Sequence, residues 1–143
     1  MTNLIEQLVE EHRRLIALTG EMESMIKGLK DPVSPVVQGK FRGLIDPLIE
    51  LLKVHDELER RELFPILQKR IPEANQWQVR MVEVQDEMIL AEARHFQELF
   101  AGAPSSVSVE RIRESGAHLV RWIGEHIVME EQNLFTMIEN RQE

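Results

Sequence analysis

The chain has 143 residues, no cysteine and a net charge of −8, from 25 acidic and 17 basic residues. This length suits one domain spanning residues 1–143, and the acidic balance disfavours nucleic acid and anionic membrane surfaces as partners. The lack of cysteine excludes disulfides, iron–sulfur ligation and thiol catalysis, and the lack of a long apolar run or of a signal-peptide pattern at Met1-Thr2-Asn3 predicts a cytoplasmic protein.

Glycine and proline divide the chain into four stretches with the length of bundle helices. The breaks fall at residues 28–35, 65–72 and 102–104, and no strand pattern appears between them. Each stretch has an apolar stripe with steps of three, four or seven residues, as amphipathic helices have. We therefore expect an all-α fold, an up-down-up-down antiparallel four-helix bundle.

The first two stretches have polar residues in phase with their apolar stripes. The first stripe is Leu4, Leu8, Leu15, Met22, Ile26 and Leu29. His12 falls on this stripe. The second stripe is Leu44, Leu48, Leu51, Leu52, Leu63 and Ile66. His55 and Glu59 fill its gap in phase, and Pro47 predicts a helix that is kinked there or begins there.

The last two stretches have the same arrangement. The third stripe is Trp77, Met81, Val84, Met88, Ala91 and Leu99, and the fourth is Ile112, Leu119, Ile123, Leu134 and Met137. His95 falls on the third stripe, and His126 and Glu130 fall on the fourth. Four histidines and two glutamates therefore occupy positions where core residues are expected. Because a buried carboxylate without a partner is costly, something must compensate these side chains, and a pair of metal ions would do so directly.

Two pairs of these polar residues share the pattern His-x-x-x-Glu. His55 and Glu59 form one pair, His126 and Glu130 form the other, and each pair is followed at the same offset by Leu-Phe. Residues four apart lie on one face of a helix, so each pair points an imidazole and a carboxylate at the same volume. Such nitrogen and oxygen donors suit iron, manganese or zinc, and two facing helices supply enough of them for two ions.

Each of these signals has a simpler interpretation when it is taken alone. A lone histidine on an apolar face is more often a hydrogen-bonded core residue than a ligand, and one His-x-x-x-Glu can be an ordinary surface pair. Two such pairs in the same register, both in phase with the core, favour a metal site. His118 is rotated off the face of His126, so we interpret it as a non-ligand. His95 lies close to Gly102, so its helix must end short there or the loop must fold back over the bundle end.

With His12, His55-x-x-x-Glu59, His95 and His126-x-x-x-Glu130 on four successive helices, the chain resembles the hemerythrin-like (HHE cation-binding) family. Further segments that resemble this family are Glu10-Glu11-His12, Glu62-Leu63-Phe64-Pro65 and Glu130-Glu131-x-x-Leu134-Phe135. The resemblance implies a four-helix bundle around two iron ions, bridged by the two glutamates and by an oxo or hydroxo group. The metal ligands that it implies are His12, His55, Glu59, His95, His126 and Glu130.

The chain departs from the oxygen-carrying hemerythrins at two points. Those carriers have two histidines four apart on the third helix, whereas the positions that flank the third-helix histidine at this spacing are Ala91 and Leu99. The carriers also have His-x-x-x-x-Asp on the last helix, whereas Glu130 and Glu131 stand four and five residues after the last histidine. The internal repeat favours Glu130 over Glu131, because the residue five after the second-helix histidine is Arg60. Reversible oxygen carriage is therefore not favoured.

Three functions are compatible with this pattern. The first is an enzyme that decomposes peroxide at a di-iron centre, with no catalytic residue beyond the metal site. The second is a non-catalytic module that binds or senses dioxygen, nitric oxide or iron, and such a module would signal through another chain. The third is a metal-free structural bundle. We expect a small-molecule partner in the first two cases and neither nucleic acid nor membrane in any of them, while a homodimer stays open.

Overall fold

The computed structural model describes residues 2–103 and 107–140, apart from the side chains of residues 2, 139 and 140. Pro104, where we expected the third break to end, lies outside the described residues. In chain order the helices are α1 (Thr2–Lys27), α2 (Pro35–Leu58), α3 (Phe64–Arg70), α4 (Gln76–Glu98), α5 (Val109–Met129) and α6 (Phe135–Asn140). Neither described range contains a strand, so the predicted all-α fold is confirmed.

Three shorter elements join these helices. A π-helical turn, Glu59–Leu63, links α2 to α3, and a second one, Glu130–Leu134, links α5 to α6. A 3-10 turn, Glu73–Asn75, precedes α4. A π turn holds more residues than an α turn; it occurs mostly as a single turn within a helix and is frequent at functional sites. Each π turn here begins at the glutamate of a His-x-x-x-Glu pair.

Serine caps mark the starts of α2 and α5. The Ser34 side chain accepts a hydrogen bond from the backbone N–H of Val37 at 3.1 Å, and Pro35 follows as the first residue of α2. Ser108 caps α5 in the same way. Such caps satisfy backbone donors that have no partner within the helix. Because α2 begins at Pro35 and continues through Pro47, the alternative in which the helix begins at Pro47 is wrong.

The four long helices pack as a closed ring. Helix α1 contacts α2 and α5, and α4 also contacts α2 and α5. This is the arrangement of a four-helix bundle. The up-down-up-down direction of the helices stays a prediction. In the described ranges, each helix is too short or too polar to cross a membrane.

A polar layer crosses the bundle between two clusters of buried apolar side chains. On α1, His12 lies between Leu8 of one cluster and Leu15 of the other. On α4 the same change of cluster occurs between Val82 and Ile89. Because apolar packing lies on both sides of this layer, its polar side chains are held away from water at a fixed depth of the bundle.

The core stripes predicted for the first, second and fourth stretches are confirmed, whereas the third is wrong. Residues Trp77, Met81, Val84 and Met88 are 47–53% exposed, and Ala91 and His95 are exposed as well. The buried face of α4 consists instead of Val79, Val82, Ile89, Ala93 and Phe96. Helix α4 is apolar on two faces, and its sequence pattern alone does not show which face the other helices cover.

Gly116 on α5 lies at a close approach to two other helices. A Cβ atom at this position would clash with the Cδ1 atom of Ile26 on α1 and would lie 3.1 Å from a ring atom of Phe96 on α4. A Cβ at Gly124, on the same helix, would meet nothing within 4 Å. The two glycines therefore lie on the same helix but differ in how closely other helices pack against them.

We expect Gly116→Ala to lower the free energy of unfolding by roughly 1 kcal/mol, because the overpacking of a buried contact outweighs the gain in helix propensity. Gly124→Ala is the matched control and should raise the free energy of unfolding by up to about 1 kcal/mol. Urea denaturation of the two variants and of the unmodified chain measures both changes. Equal stabilisation by the two substitutions would contradict the close packing at Gly116.

Candidate metal centre

Five of the six predicted ligands come together in the polar layer. His12 lies on α1, His55 near the end of α2, His126 near the end of α5, and Glu59 and Glu130 are the first residues of the two π turns. All five are buried, with both glutamates at 0% exposure. Three helices and two π turns thus place three imidazoles and two carboxylates in one buried volume.

Glu130 is the centre of this cluster. One of its oxygens, Oε1, lies 2.9 Å from Nε2 of His12 and 3.4 Å from Nε2 of His55, and these two nitrogens lie 3.2 Å from each other. Its other oxygen, Oε2, lies 3.6 Å from Nε2 of His126. Glu59 joins from the side of His55, whose Nε2 is 3.3 Å from Glu59 Oε2.

Asp86 on α4 is a member of the cluster that the sequence reasoning missed. Its Oδ1 atom lies 2.6 Å from Nε2 of His126, and the residue is 7% exposed. His95, which we predicted to be the ligand from this helix, is exposed and does not join the cluster. We therefore drop His95 from the ligand set. The sequence feature that could have identified Asp86 as a ligand is its position between Val82 and Ile89, in phase with the apolar residues on the buried face of α4.

The potential ligand atoms form two groups that share one residue. Donor atoms of His12, His55 and Glu130 lie within 4.8 Å of one another. The second group, with the same spacing, consists of Glu59, Asp86, His126 and Glu130. Each group offers enough nitrogen and oxygen donors to hold a cation, and Glu130 belongs to both.

The outer nitrogen of each imidazole has its own hydrogen-bond acceptor. The Nδ1 atom of His12 lies 2.7 Å from Glu131 Oε2, and that of His55 lies 2.7 Å from Glu11 Oε1. The acceptor for His126 is the side-chain oxygen of Gln85, at 2.9 Å. In a neutral imidazole, a proton on Nδ1 satisfies each of these contacts and leaves the Nε2 lone pair directed at the cluster, where it could bind a cation. This is the usual arrangement around histidines that bind metal.

This outer layer also distinguishes the two adjacent glutamates of the last helix. Glu130 lies in the cluster and is fully buried, whereas Glu131 is 38% exposed and accepts the hydrogen bond from His12 Nδ1. Sequence reasoning favoured Glu130 for the inner position, and the structure places it there. Glu131 has instead the role of orienting an imidazole.

Several buried polar atoms of the cluster have no hydrogen-bond partner among the described residues. They are both oxygens of Glu59, Oε2 of Glu130 and Nε2 of His126, which is 2.6 Å from Asp86 Oδ1 but not in hydrogen-bond geometry with it. Leaving such atoms buried and unpaired costs free energy, and carboxylate oxygens next to imidazole lone pairs are acceptors facing acceptors. A cation between them would satisfy all of these atoms at once, so the residues present fit a metal centre.

In the protein alone, the two glutamates have pKa values shifted in opposite directions. Burial, together with the charge of Glu130, raises the pKa of Glu59 well above its usual range. Burial acts to raise the pKa of Glu130 as well, but the nearby side chains of Glu59, His12 and His55 outweigh it and hold that pKa well below the usual range. Without a bound cation, Glu59 is therefore the member of this pair that is more readily protonated.

The surrounding carboxylates also change the imidazoles. Burial alone lowers the pKa of a histidine, but neighbouring carboxylates outweigh burial and raise the pKa of both His55 and His126. Burial and the charge of Asp86 raise the pKa of Asp56, next to the cluster, to about 8. Burial is the largest cause of the raised carboxyl pKa values, and the excess of buried carboxylates adds to it, so the cluster favours the uptake of protons or other cations.

The two π turns explain why Leu-Phe follows each His-x-x-x-Glu pair. In a regular α-helix the residue five after the glutamate would lie well off its face. The wider π turn brings both residues inward, so that Leu63, Phe64, Leu134 and Phe135 are all buried. Phe135 then stacks on the ring of His12, with ring centroids 5.6 Å apart. His118, by contrast, packs against Trp122 outside the cluster.

A small cavity adjoins the cluster. Its volume is about 10 Å³, and its polar wall includes His12, His55, Asp56, Asp86 and His126. The rest of the wall is aliphatic and consists of Leu15, Leu52, Ile89, Ile123 and Ile127. A cavity of this size has room for about one water molecule or a guest of similar size.

Comparison with known proteins adds the family. A search of curated proteins and a search of solved structures each gave no match to this chain. The sequence model of the hemerythrin HHE cation binding domain matches residues 3–138. This match spans α1 to α6 and includes every residue of the buried cluster, so the recognised resemblance is confirmed. The chain belongs to the hemerythrin HHE cation binding domain family.

Proposed function

We propose that this chain holds two iron ions in the buried cluster and reacts there with a small molecule, hydrogen peroxide in the first place. The proposed ligands are His12, His55, Glu59, Asp86, His126 and Glu130. The observation that supports this most directly is the set of buried oxygen and nitrogen atoms without hydrogen-bond partners on Glu59, Glu130 and His126. A structural bundle without metal would leave these atoms unpaired in its core.

The donor set favours a hard or borderline metal. Three imidazole nitrogens and three carboxylates, with no sulfur, suit iron or manganese better than soft ions. Glu130 is suited to bind both ions, because it belongs to both groups of ligand atoms. In the oxygen carriers the third helix of the bundle supplies imidazoles, whereas here the corresponding helix, α4, supplies the carboxylate of Asp86. More carboxylate around the metal favours the oxidised state of iron, because negative charge stabilises the higher positive charge.

The cavity beside the cluster supports a small reactant. Its volume of about 10 Å³ has room for a guest of about the size of one water molecule, so a reactant bound there must be small. Bound iron would supply a redox centre that can exchange electrons with peroxide, and the overall change converts two hydrogen peroxide molecules to two water molecules and one dioxygen. The chain itself contributes the ligands, the acceptors that orient them and the aliphatic part of the cavity wall.

The second candidate is a non-catalytic module that binds or senses dioxygen or nitric oxide. The aliphatic half of the cavity wall, which includes Leu52 and Ile123, favours an uncharged diatomic molecule. Both candidates need the same metal centre and differ only in whether the guest is consumed. A cytoplasmic location and a single domain over residues 1–143 belong to this proposal as predictions.

The metal content of purified protein tests the ligand set. We expect about two iron atoms per chain, and we expect Glu130→Ala and Asp86→Ala each to retain at most about half of this iron, since each removes a ligand that a helix holds in position. Elemental analysis by mass spectrometry measures the content, and circular dichroism checks that the variants are folded.

The matched controls are His95→Ala, a histidine on the same helix as Asp86, and His118→Ala, a histidine on the same helix as His126. Both should retain the full iron content, because neither side chain lies in the cluster. Loss of iron from His95→Ala together with retention in Asp86→Ala would restore the original assignment and overturn the revised one.

Removal of the metal should destabilise the fold. Metal at about one hundred times its dissociation constant stabilises a protein by about 2.7 kcal/mol, which corresponds to a rise in melting temperature of roughly 8 °C for a chain of this size. We therefore expect the chelated protein to melt at least this far below the loaded protein, because it must keep the unpaired side chains of Glu59 and Glu130 in its core. Differential scanning calorimetry makes the comparison. Equal melting temperatures would support the structural bundle.

Peroxide turnover separates the enzyme from the binding module. The iron-loaded chain should release dioxygen from hydrogen peroxide with many turnovers per protein, as measured with an oxygen electrode, and Glu130→Ala should reduce the rate to that of free iron. His95→Ala should keep the full rate. Asp86→His replaces a carboxylate by an imidazole. This variant should decompose peroxide more slowly and bind dioxygen reversibly, and the visible absorption spectrum measures that binding.

The binding or sensing module predicts a different result. A reversible spectral change on cycles of oxygenation and deoxygenation, with no peroxide turnover in the unmodified chain, would favour the binding or sensing module.

A further inference from the structure

The outer face of α4 has a contiguous apolar patch. Trp77, Met81, Val84 and Met88, called here the α4 stripe, follow one another at steps of four, three and four residues, and each is 47–53% exposed. Among the described residues, the other large exposed apolar side chains are scattered over other helices and are Ile16, Val36, Val54 and Val128. A contiguous exposed patch of this kind is typical of an interaction surface, whereas scattered apolar side chains are ordinary.

Helix α4 therefore has two apolar faces, of which the bundle covers only one. The buried face includes Val82, Ile89 and Phe96, and the stripe lies on the opposite side. A helix that is apolar on both sides is expected between two packing partners. Beside the stripe, Trp122 and Met129 of α5 border a groove of about 620 Å³ that would receive side chains from such a partner.

Charged residues next to the stripe indicate what the partner is. Arg80 and Glu87 are exposed, lie seven residues apart on the same side of the stripe, and form no ion pair within residues 2–103 and 107–140. When two copies of α4 run antiparallel about a two-fold axis near Val84, Arg80 of each copy faces Glu87 of the other. The stripe thus has charge complementarity to a second copy of itself.

We propose that this chain forms a homodimer through the α4 stripe, with the two α4 helices antiparallel and Val84 at the two-fold axis. Such an interface is isologous, so every contact is made twice. Four half-exposed apolar side chains offer a few hundred Å² on each copy, and because a specific interface buries at least about 1,200 Å² in total, the flanking charged residues must be covered as well. The groove beside the stripe is also lined by Gln85 and His126 of the cluster, but the test of the dimer measures chain association and is separate from that of the proposed function.

The first experiment measures the mass of the full chain in solution. Sedimentation equilibrium between about 1 and 100 µM should show a dimer that dissociates on dilution. Val84→Glu places two like charges at the axis and should raise the dissociation constant at least about 100-fold. Val54→Glu, at an exposed valine of α2, is the matched control and should leave the constant unchanged. A monomer at every concentration, or equal association of Val84→Glu and the unmodified chain, overturns the proposal.

The second experiment tests the antiparallel register by charge reversal. A chain with Arg80→Glu has only acidic side chains at the two facing positions, and a chain with Glu87→Arg has only basic ones. Each variant alone should associate at least about tenfold more weakly than the unmodified chain, whereas an equimolar mixture should form mixed dimers in which both charge pairs are restored. Native mass spectrometry of the mixture, with one variant isotopically labelled, measures the pairing. Random or absent pairing in the mixture overturns the proposed interface.

Discussion

Glu130 imposes the main constraint on this fold. Its carboxylate is fully buried, lies within hydrogen-bonding distance of two imidazoles, and is the residue common to both groups of potential ligand atoms. A charge at this depth is tolerated only when other groups or ions compensate it. The three imidazoles, their outer acceptors and the apolar clusters on either side together hold that charge in one place. The polar layer therefore fixes the depth and rotation of all four long helices.

The two π turns each place a glutamate in the buried polar layer. Each begins at the glutamate of a His-x-x-x-Glu pair, and each returns a Leu-Phe pair to the core directly below the polar layer. The turn thus allows a helix to place a carboxylate and two large apolar side chains on one face within six residues. A regular α-helix would place the phenylalanine off this face, and Phe135 would not stack on His12.

The sequence predicted the fold class and most of the cluster because the necessary information was periodic. His12, His55 and His126 each interrupt an apolar stripe in phase, and the repeated His-x-x-x-Glu pairs agree in register. The prediction of the buried face was wrong for α4. This helix has two apolar faces, and we predicted the face with His95 to be the buried one. Asp86 was missed because an aspartate in an acidic helix resembles a surface residue until its neighbours are known. The outer acceptors and the π turns were not predicted either, since both depend on tertiary contacts.

The outer acceptors make the two halves of the site chemically unequal. The hydrogen bonds from His12 and His55 go to carboxylates, which push electron density onto the inner nitrogens, whereas the hydrogen bond from His126 goes to the neutral amide of Gln85. One half thus has two strongly donating imidazoles, and the other has one weaker imidazole beside Glu59 and Asp86. The sequence repeats the His-x-x-x-Glu pair, but the two pairs have different surroundings in the folded molecule. The site consequently has a polarity, with a nitrogen-rich end and an oxygen-rich end, that is present before any guest arrives.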